Sequence, residues 1–120
     1  IQELSTCLQY GLPIKIINLN NAALGMVRQW QDMQYGGRHS SSTYENSLPD
    51  FKALAESYGH IGIKVSKFED LESAMQECIG LKDKLVFLDV DVDPNEHVYP
   101  MLEAGHSMDY MRLGKDKKTW

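Results

Sequence analysis

Asn18-Leu19-Asn20-Asn21-Ala22-Ala23-Leu24-Gly25-Met26-Val27-Arg28-Gln29-Trp30 decides how this chain folds. The apolar, β-branched segment Ile14 to Leu19 ends there in paired asparagines, and Gly25 then opens an amphipathic helix that runs to about Gln34. In an open α/β sheet, ligands sit beyond the carboxyl ends of the strands, and the helix that follows offers unpaired N–H groups and a positive dipole end to an anion. The stretch therefore has the layout of a diphosphate and metal site.

The flanks extend the pattern. Residues 1 to 10 put Ile1, Leu4 and Leu8 on one helical face, with Gly11 as the stop and Pro13 just beyond it. Ile14 to Leu19 is short and bounded by turn formers, which predicts a buried parallel strand. Tyr35 to Leu48, with Gly36-Gly37 and Ser40-Ser41-Ser42, reads as a loop long enough to be a lid or linker. Asp50 to Tyr58 repeats Phe51, Leu54, Ala55 and Tyr58 at helical spacing, and Ile61, Ile63 and Val65 alternate as a strand. Ser66-Lys67-Phe68-Glu69 has the form of a capping box before a helix lined by Phe68, Leu71, Ala74, Met75, Cys78 and Ile79. Leu85 to Val92 is the last strand, and the sequence turns polar from Asp93 to a frayed Lys115-Asp116-Lys117-Lys118.

Strands alternating with helices predict an α/β fold with a parallel, doubly wound sheet. Three strands leave such a sheet incomplete. The first residue, Ile1, already lies in a helical pattern, so the sequence reads as a fragment of a longer protein, with a partial domain over 1–93 and a tail over 94–120. A net charge of −5 argues against partners such as nucleic acid or an anionic membrane, and no stretch is long and apolar enough to span a bilayer. Cys7 and Cys78 form no C-x-x-C pair and read as buried thiols of a cytoplasmic protein.

Taken alone, Asn20-Asn21 is more often a plain turn or helix cap, and Met26, Val27 and Trp30 more often an ordinary core stripe. Asp89, Asp91 and Asp93 alternate like the first ligands of a calcium loop. Pro94 and Pro100 occupy the positions where that loop needs glycine and glutamate, so the three read as strand-end carboxylates facing water. His39, His60, His97 and His106 show no zinc-ligand spacing.

Asn-Asn-x-x-Leu-Gly-Met-Val-x-Gln-Trp-Gln, from Asn20 to Gln31, resembles the thiamine diphosphate motif of the acetolactate synthase (acetohydroxyacid synthase) catalytic subunits. Ile1-Gln2-Glu3-Leu4-Ser5-Thr6 is similar to the family's helix after its Gly-Asp-Gly element, and Pro49-Asp50-Phe51 with Leu54-Ala55-Glu56 and Gly59 to its next landmark. Glu96-His97-Val98-Tyr99-Pro100-Met101 resembles its segment after the last strand. The wording Met26 to Gln31 argues against the rival reading, another thiamine-dependent decarboxylase or carboligase such as a glyoxylate carboligase.

The resemblance implies a C-terminal part of the thiamine diphosphate-binding fold, with thiamine diphosphate and Mg2+ as cofactors. Asn21 corresponds to the side-chain magnesium ligand and Ala23 to a backbone-carbonyl ligand. Ala22 and Ala23 stand where many relatives carry larger residues, which a carbonyl ligand tolerates. Asn21, Ala23, Leu24, Gly25 and Met26 would bind the cofactor, and Met26, Val27 and Trp30 would line the substrate entrance, where the tryptophan helps select the second 2-oxoacid. His39 and His97 fall in segments that help close the family's active site, with surface histidines as the plain alternative. No catalytic residue is assigned, because the family's activating glutamate comes from another domain of a neighbouring subunit; Glu3, Glu45, Glu56, Glu69, Glu72, Glu77, Glu96 and Glu103 do not take that role. The whole enzyme would condense pyruvate with pyruvate or 2-oxobutyrate in branched-chain amino acid biosynthesis, as a homo-oligomer with a regulatory small subunit and with FAD in a domain outside this segment. A non-catalytic folding or association module is the alternative reading.

Overall fold

Val86 and Leu88 are fully buried because the strand that carries them is covered from both sides and paired along both edges. The computed structural model describes residues 1–44 and 46–114, so the terminal lysine-rich run, read as frayed, lies outside the described residues. The chain divides into two units, Ile1–Ala23 with Tyr44–Pro94, and Leu24–Thr43 with Asn95 onward.

The first unit holds a three-stranded sheet of β1 (Lys15–Asn20), β2 (Ile61–Val65) and β3 (Val86–Asp91), in the order β1-β3-β2. Both pairings are parallel, with Ile17 and Ile63 opposite Leu88, and Asn18 and Lys64 opposite Asp89. Aligned residues of a parallel pair point to one face. One face is thus Val86, Leu88 and Val90 with Ile61, Ile63 and Val65, and it packs on Ala74, Cys78, Leu71 and Met75 of α4 (Leu71–Gly80).

The opposite face carries α1 (Glu3–Gln9), whose Leu4 and Cys7 pack with Leu85, Ile16 and Tyr58, and α3 (Phe51–Ser57), whose Phe51 stacks on Phe87 at 5.9 Å. Asp50 caps α3 by accepting from Ala53 N at 2.9 Å. Helices on both faces of a parallel sheet are the incomplete doubly wound arrangement that the strand–helix alternation predicts. Cys7 and Cys78 are free and buried, as their spacing implied.

Two local readings are corrected. β1 is an edge strand, and α4 covers β2 and β3, so Ile17 and Leu19 stay 46% and 68% exposed where a buried strand was expected. The capping box does not form: Ser66 lies before Lys67, the residue that precedes the first helical turn, no side chain caps that turn, and Ser66 Oγ donates to Asp91 Oδ2 at 2.7 Å. A 3₁₀ turn, Phe68–Asp70, leads into α4 instead, and Phe68 and Ile79 face solvent.

The second unit contains α2 (Gly25–Gln34), the loop that follows and the segment from Asn95. Its buried anchor is polar. Gln29, 1% exposed, accepts from Val98 N at 2.8 Å and donates to Val98 O at 2.9 Å. Met101 and Arg112 then pair as an antiparallel bridge.

α3 approaches the sheet at Gly62, where a Cβ would fall 2.5 Å from Lys52 O and 2.8 Å from Lys52 Cα. Both are backbone atoms, so the helix itself has to move. Gly62→Ala should cost about 1–3 kcal/mol, measured by urea denaturation, whereas Gly80→Ala, which meets nothing within 4 Å, should be neutral or stabilising.

Candidate functional site

The carboxyl ends of the three strands gather a polar network on the α3 face of the sheet. Asp89, 2% exposed, accepts from Asn18 Nδ2 at 2.7 Å through one oxygen, and from Lys64 Nζ at 2.8 Å and Asn20 Nδ2 at 3.4 Å through the other. Lys64 also reaches Asp91, which Ser66 holds from the other side. Strand parity assembles this cluster, since Asn18, Asn20, Lys64, Asp89 and Asp91 share one face in register. Asp89 was expected to face water; its central position and its pairing with Lys64 bury it. The signal was present in the sequence, because Lys64 interrupts Ile63 and Val65 at the alternation that also places Asp89 between Leu88 and Val90.

The network borders a cleft of about 690 Å³ lined by Asn20, Asn21, Ala22 and Tyr44 on one side and by Asp50, Lys64 and Asp91 on the other. Within it the asparagines fold into two successive turns. Asn20 Oδ1 accepts from Ala22 N at 3.0 Å, and Asn21 Oδ1 accepts from Ala23 N at 3.1 Å. Ala22 adopts φ +52°, a left-handed conformation that a non-glycine residue takes at a cost of about 1–2 kcal/mol and that the flanking hydrogen bonds offset. Tyr44 N donates to Ala22 O at 2.8 Å and fastens the turn to the returning chain.

Leu24, Gly25 and Met26 start the second unit. Leu24 N donates to Ser42 O at 2.8 Å, and α2 begins after it without a side-chain cap. Met26 and Val27 are exposed, so the stripe with Trp30 is not a core stripe. Val27 and Trp30 line an apolar groove of about 640 Å³ with Tyr35 and Arg38. The loop beside it is tied down by Gln31, which bonds Ser40 and the buried Ser42.

His39 and His97 converge on Asp32, at 2.7 and 2.9 Å, with the Arg28 Nε at 3.8 Å. Burial acts to raise Asp32, but the hydrogen bond from His39 and the positive groups around it hold its carboxyl below the usual range. His60 meets Leu4 O at 2.8 Å and His106 stacks on Tyr110. Among the described residues no group of three His, Cys, Asp or Glu forms a metal site, and no helix is long and apolar enough to cross a membrane.

A strand ending in an asparagine turn, followed by an uncapped helix, is the arrangement in which the sequence matches a known family. Residues 1–90 match the family described as thiamine pyrophosphate enzyme, C-terminal TPP binding domain. The chain belongs to this family. It is 59% identical over 118 residues to the acetolactate synthase large subunit of Haemophilus influenzae, covering 98% of this chain and 20% of that protein. It is 57% identical to the acetolactate synthase isozyme 3 large subunit of Escherichia coli, covering 99% and 21%. A more distant relative, the acetolactate synthase large subunit IlvB1 of Mycobacterium tuberculosis, is 37% identical over 95% of this chain and 19% of its own length. The chain thus spans about a fifth of the length of the curated relatives it matches. The resemblance read from Asn20 to Gln31 and its flanks is borne out, and the family is a thiamine diphosphate-binding one.

Burial opposes the charges of both Asp91 and Lys64, but their hydrogen bonds win: Lys64 and Ser66 lower Asp91, while Asp89 and Asp91 raise Lys64. A lowered acid stabilises fully above its unfolded value of about 3.9, and that contribution is lost as pH falls through the folded value. A raised lysine stabilises fully below about 10.4, and that contribution is lost as pH rises through the folded value. Lys64→Met should flatten both limbs of the melting temperature against pH. At neutral pH it should cost about 2 kcal/mol, less than the roughly 3–5 for a fully buried pair, since Lys64 is 38% exposed and Asn18 still donates to Asp89.

Proposed function

We propose that this chain is the diphosphate- and magnesium-binding part of an acetolactate synthase, the longer protein decarboxylating pyruvate and condensing the remainder with pyruvate or 2-oxobutyrate. The observation that carries the reading is the asparagine turn at the carboxyl end of β1, in a sequence 59% identical to an acetolactate synthase large subunit. Asn21 offers a neutral amide oxygen whose direction is fixed by its bond to Ala23 N, and Ala23 offers a carbonyl. Both are hard oxygen donors of the kind magnesium takes alongside phosphate oxygens. Asp89 and Asp91 are paired with Lys64.

When bound, thiamine diphosphate supplies the carbon nucleophile for decarboxylation and transfer. The chain's own share is to hold and orient. Asn21 and Ala23 would hold the ion, the N–H groups of Gly25 and Met26 would face the diphosphate with Leu24 beside them, its own N–H engaged by Ser42 O, and Met26, Val27 and Trp30 would admit and select the 2-oxoacids. The half-exposure of Met26 and Val27 and the groove beside Trp30 support that selecting role. FAD, a regulatory small subunit and a homo-oligomeric state belong to the same reading of the longer protein. The exposed Ile17 and Leu19 support the assembled state, and also the alternative of an association module.

Calorimetric titration of magnesium and thiamine diphosphate into the full-length protein tests the ligand assignment. Asn21→Ala should weaken binding about 10- to 100-fold, the loss of one charge-assisted contact, and unchanged affinity would overturn the assignment. In the same protein, Trp30→Leu should lower the preference for 2-oxobutyrate over pyruvate about tenfold, read as the ratio of the two products; an unaltered ratio would remove Trp30 from selection.

A further inference from the structure

Between the buried Asp89 and the turn that carries Asn21 stands one amide. A carboxylate can only accept hydrogen bonds, so Asn20 meets Asp89 Oδ2 with its Nδ2, at 3.4 Å. Its Oδ1 is thereby turned to the other side, where it accepts from Ala22 N at 3.0 Å. That bond holds Ala22 at φ +52°, and the next one, from Ala23 N to Asn21 Oδ1 at 3.1 Å, fixes the Asn21 side chain. Val92 N donates to Asn20 O at 3.0 Å, so β3 grips the main chain of the same residue. Asp89 has little freedom of its own, because Asn18 holds one oxygen at 2.7 Å and Lys64 the other at 2.8 Å.

We propose that Asp89, held by Lys64 and Asn18, is a positioning residue that orients the Asn20 amide and so sets the metal-binding conformation of the Asn20 to Ala23 turn. The inference rests on the reading of Asn21 as the magnesium ligand. Asp89 does not touch the ion or the substrate. It removes one of two orientations of an amide whose ends are nearly equal in shape, and Lys64, shared with Asp91, offsets part of its charge. Asparagine at position 89 would keep the shape but bring a donor of its own, which would let the Asn20 amide reverse and present its NH2 to Ala22 N–H.

The test uses the full-length protein without substrate and reads the magnesium concentration that gives half-maximal thiamine diphosphate binding, followed by tryptophan fluorescence, beside the melting temperature without metal. Asp89→Asn and Asn20→Ala should each raise that concentration about tenfold, as loss of an outer partner of a metal ligand does. Asn20→Ser, which keeps a side-chain oxygen within reach of Ala22 N–H, should restore most of it. Asn20 lies outside the core, so the Ala and Ser pair decides the matter if Asp89→Asn does not fold. Unchanged magnesium dependence in a folded Asp89→Asn or in Asn20→Ala, or an equal loss in Asn20→Ala and Asn20→Ser, would overturn the inference. Asn21→Ala run in parallel separates the two failures: if it too leaves the magnesium dependence unchanged, the ligand assignment itself falls.

Discussion

The ion pair between Lys64 and Asp89 is the constraint on which the carboxyl end of the sheet depends. A carboxylate in the middle of a parallel sheet loses its hydration, and an isolated one would neutralise or expel its strand. Here three donors from the two neighbouring strands replace the lost water, at 2.7, 2.8 and 3.4 Å. They also lock β1, β2 and β3 together near their carboxyl ends. Apolar packing on the α4 face sets the strand order, and the polar network on the other face sets what the strand ends present.

Much of this was legible in the sequence because it depends on short-range periodicity. Each helix and each strand was foreseen within a few residues, since apolar spacing, Gly59 and Asp50 speak locally. The asparagine turn was legible through its wording and its likeness to a known motif. What escaped depends on which strands become neighbours. Asp89 looks like a solvent-facing carboxylate until β3 is placed between β1 and β2, and Ser66 looks like a helix cap until Asp91 arrives beside it. Ile17 and Leu19 look buried until the edge is known.

The second unit follows a different logic. Its order comes from polar residues with both ends occupied: Asp32 between two histidines and Gln31 between Ser40 and Ser42. None of these has an apolar period, which is why the loop and the tail read as little more than polar sequence. A loop stitched by side chains holds a groove open beside Trp30 without spending core residues on it.

Gln29 carries that logic furthest. Its amide bonds both the N–H and the C=O of Val98, as a neighbouring strand would, while the Val98 side chain is turned outward. The attachment is therefore written in main-chain atoms on one side and in a single side chain on the other. Any residue but proline at position 98 supplies the same main-chain donor and acceptor, whereas the contact at position 29 depends on one amide reaching both, so a single substitution there releases the segment that no substitution of the Val98 side chain would free.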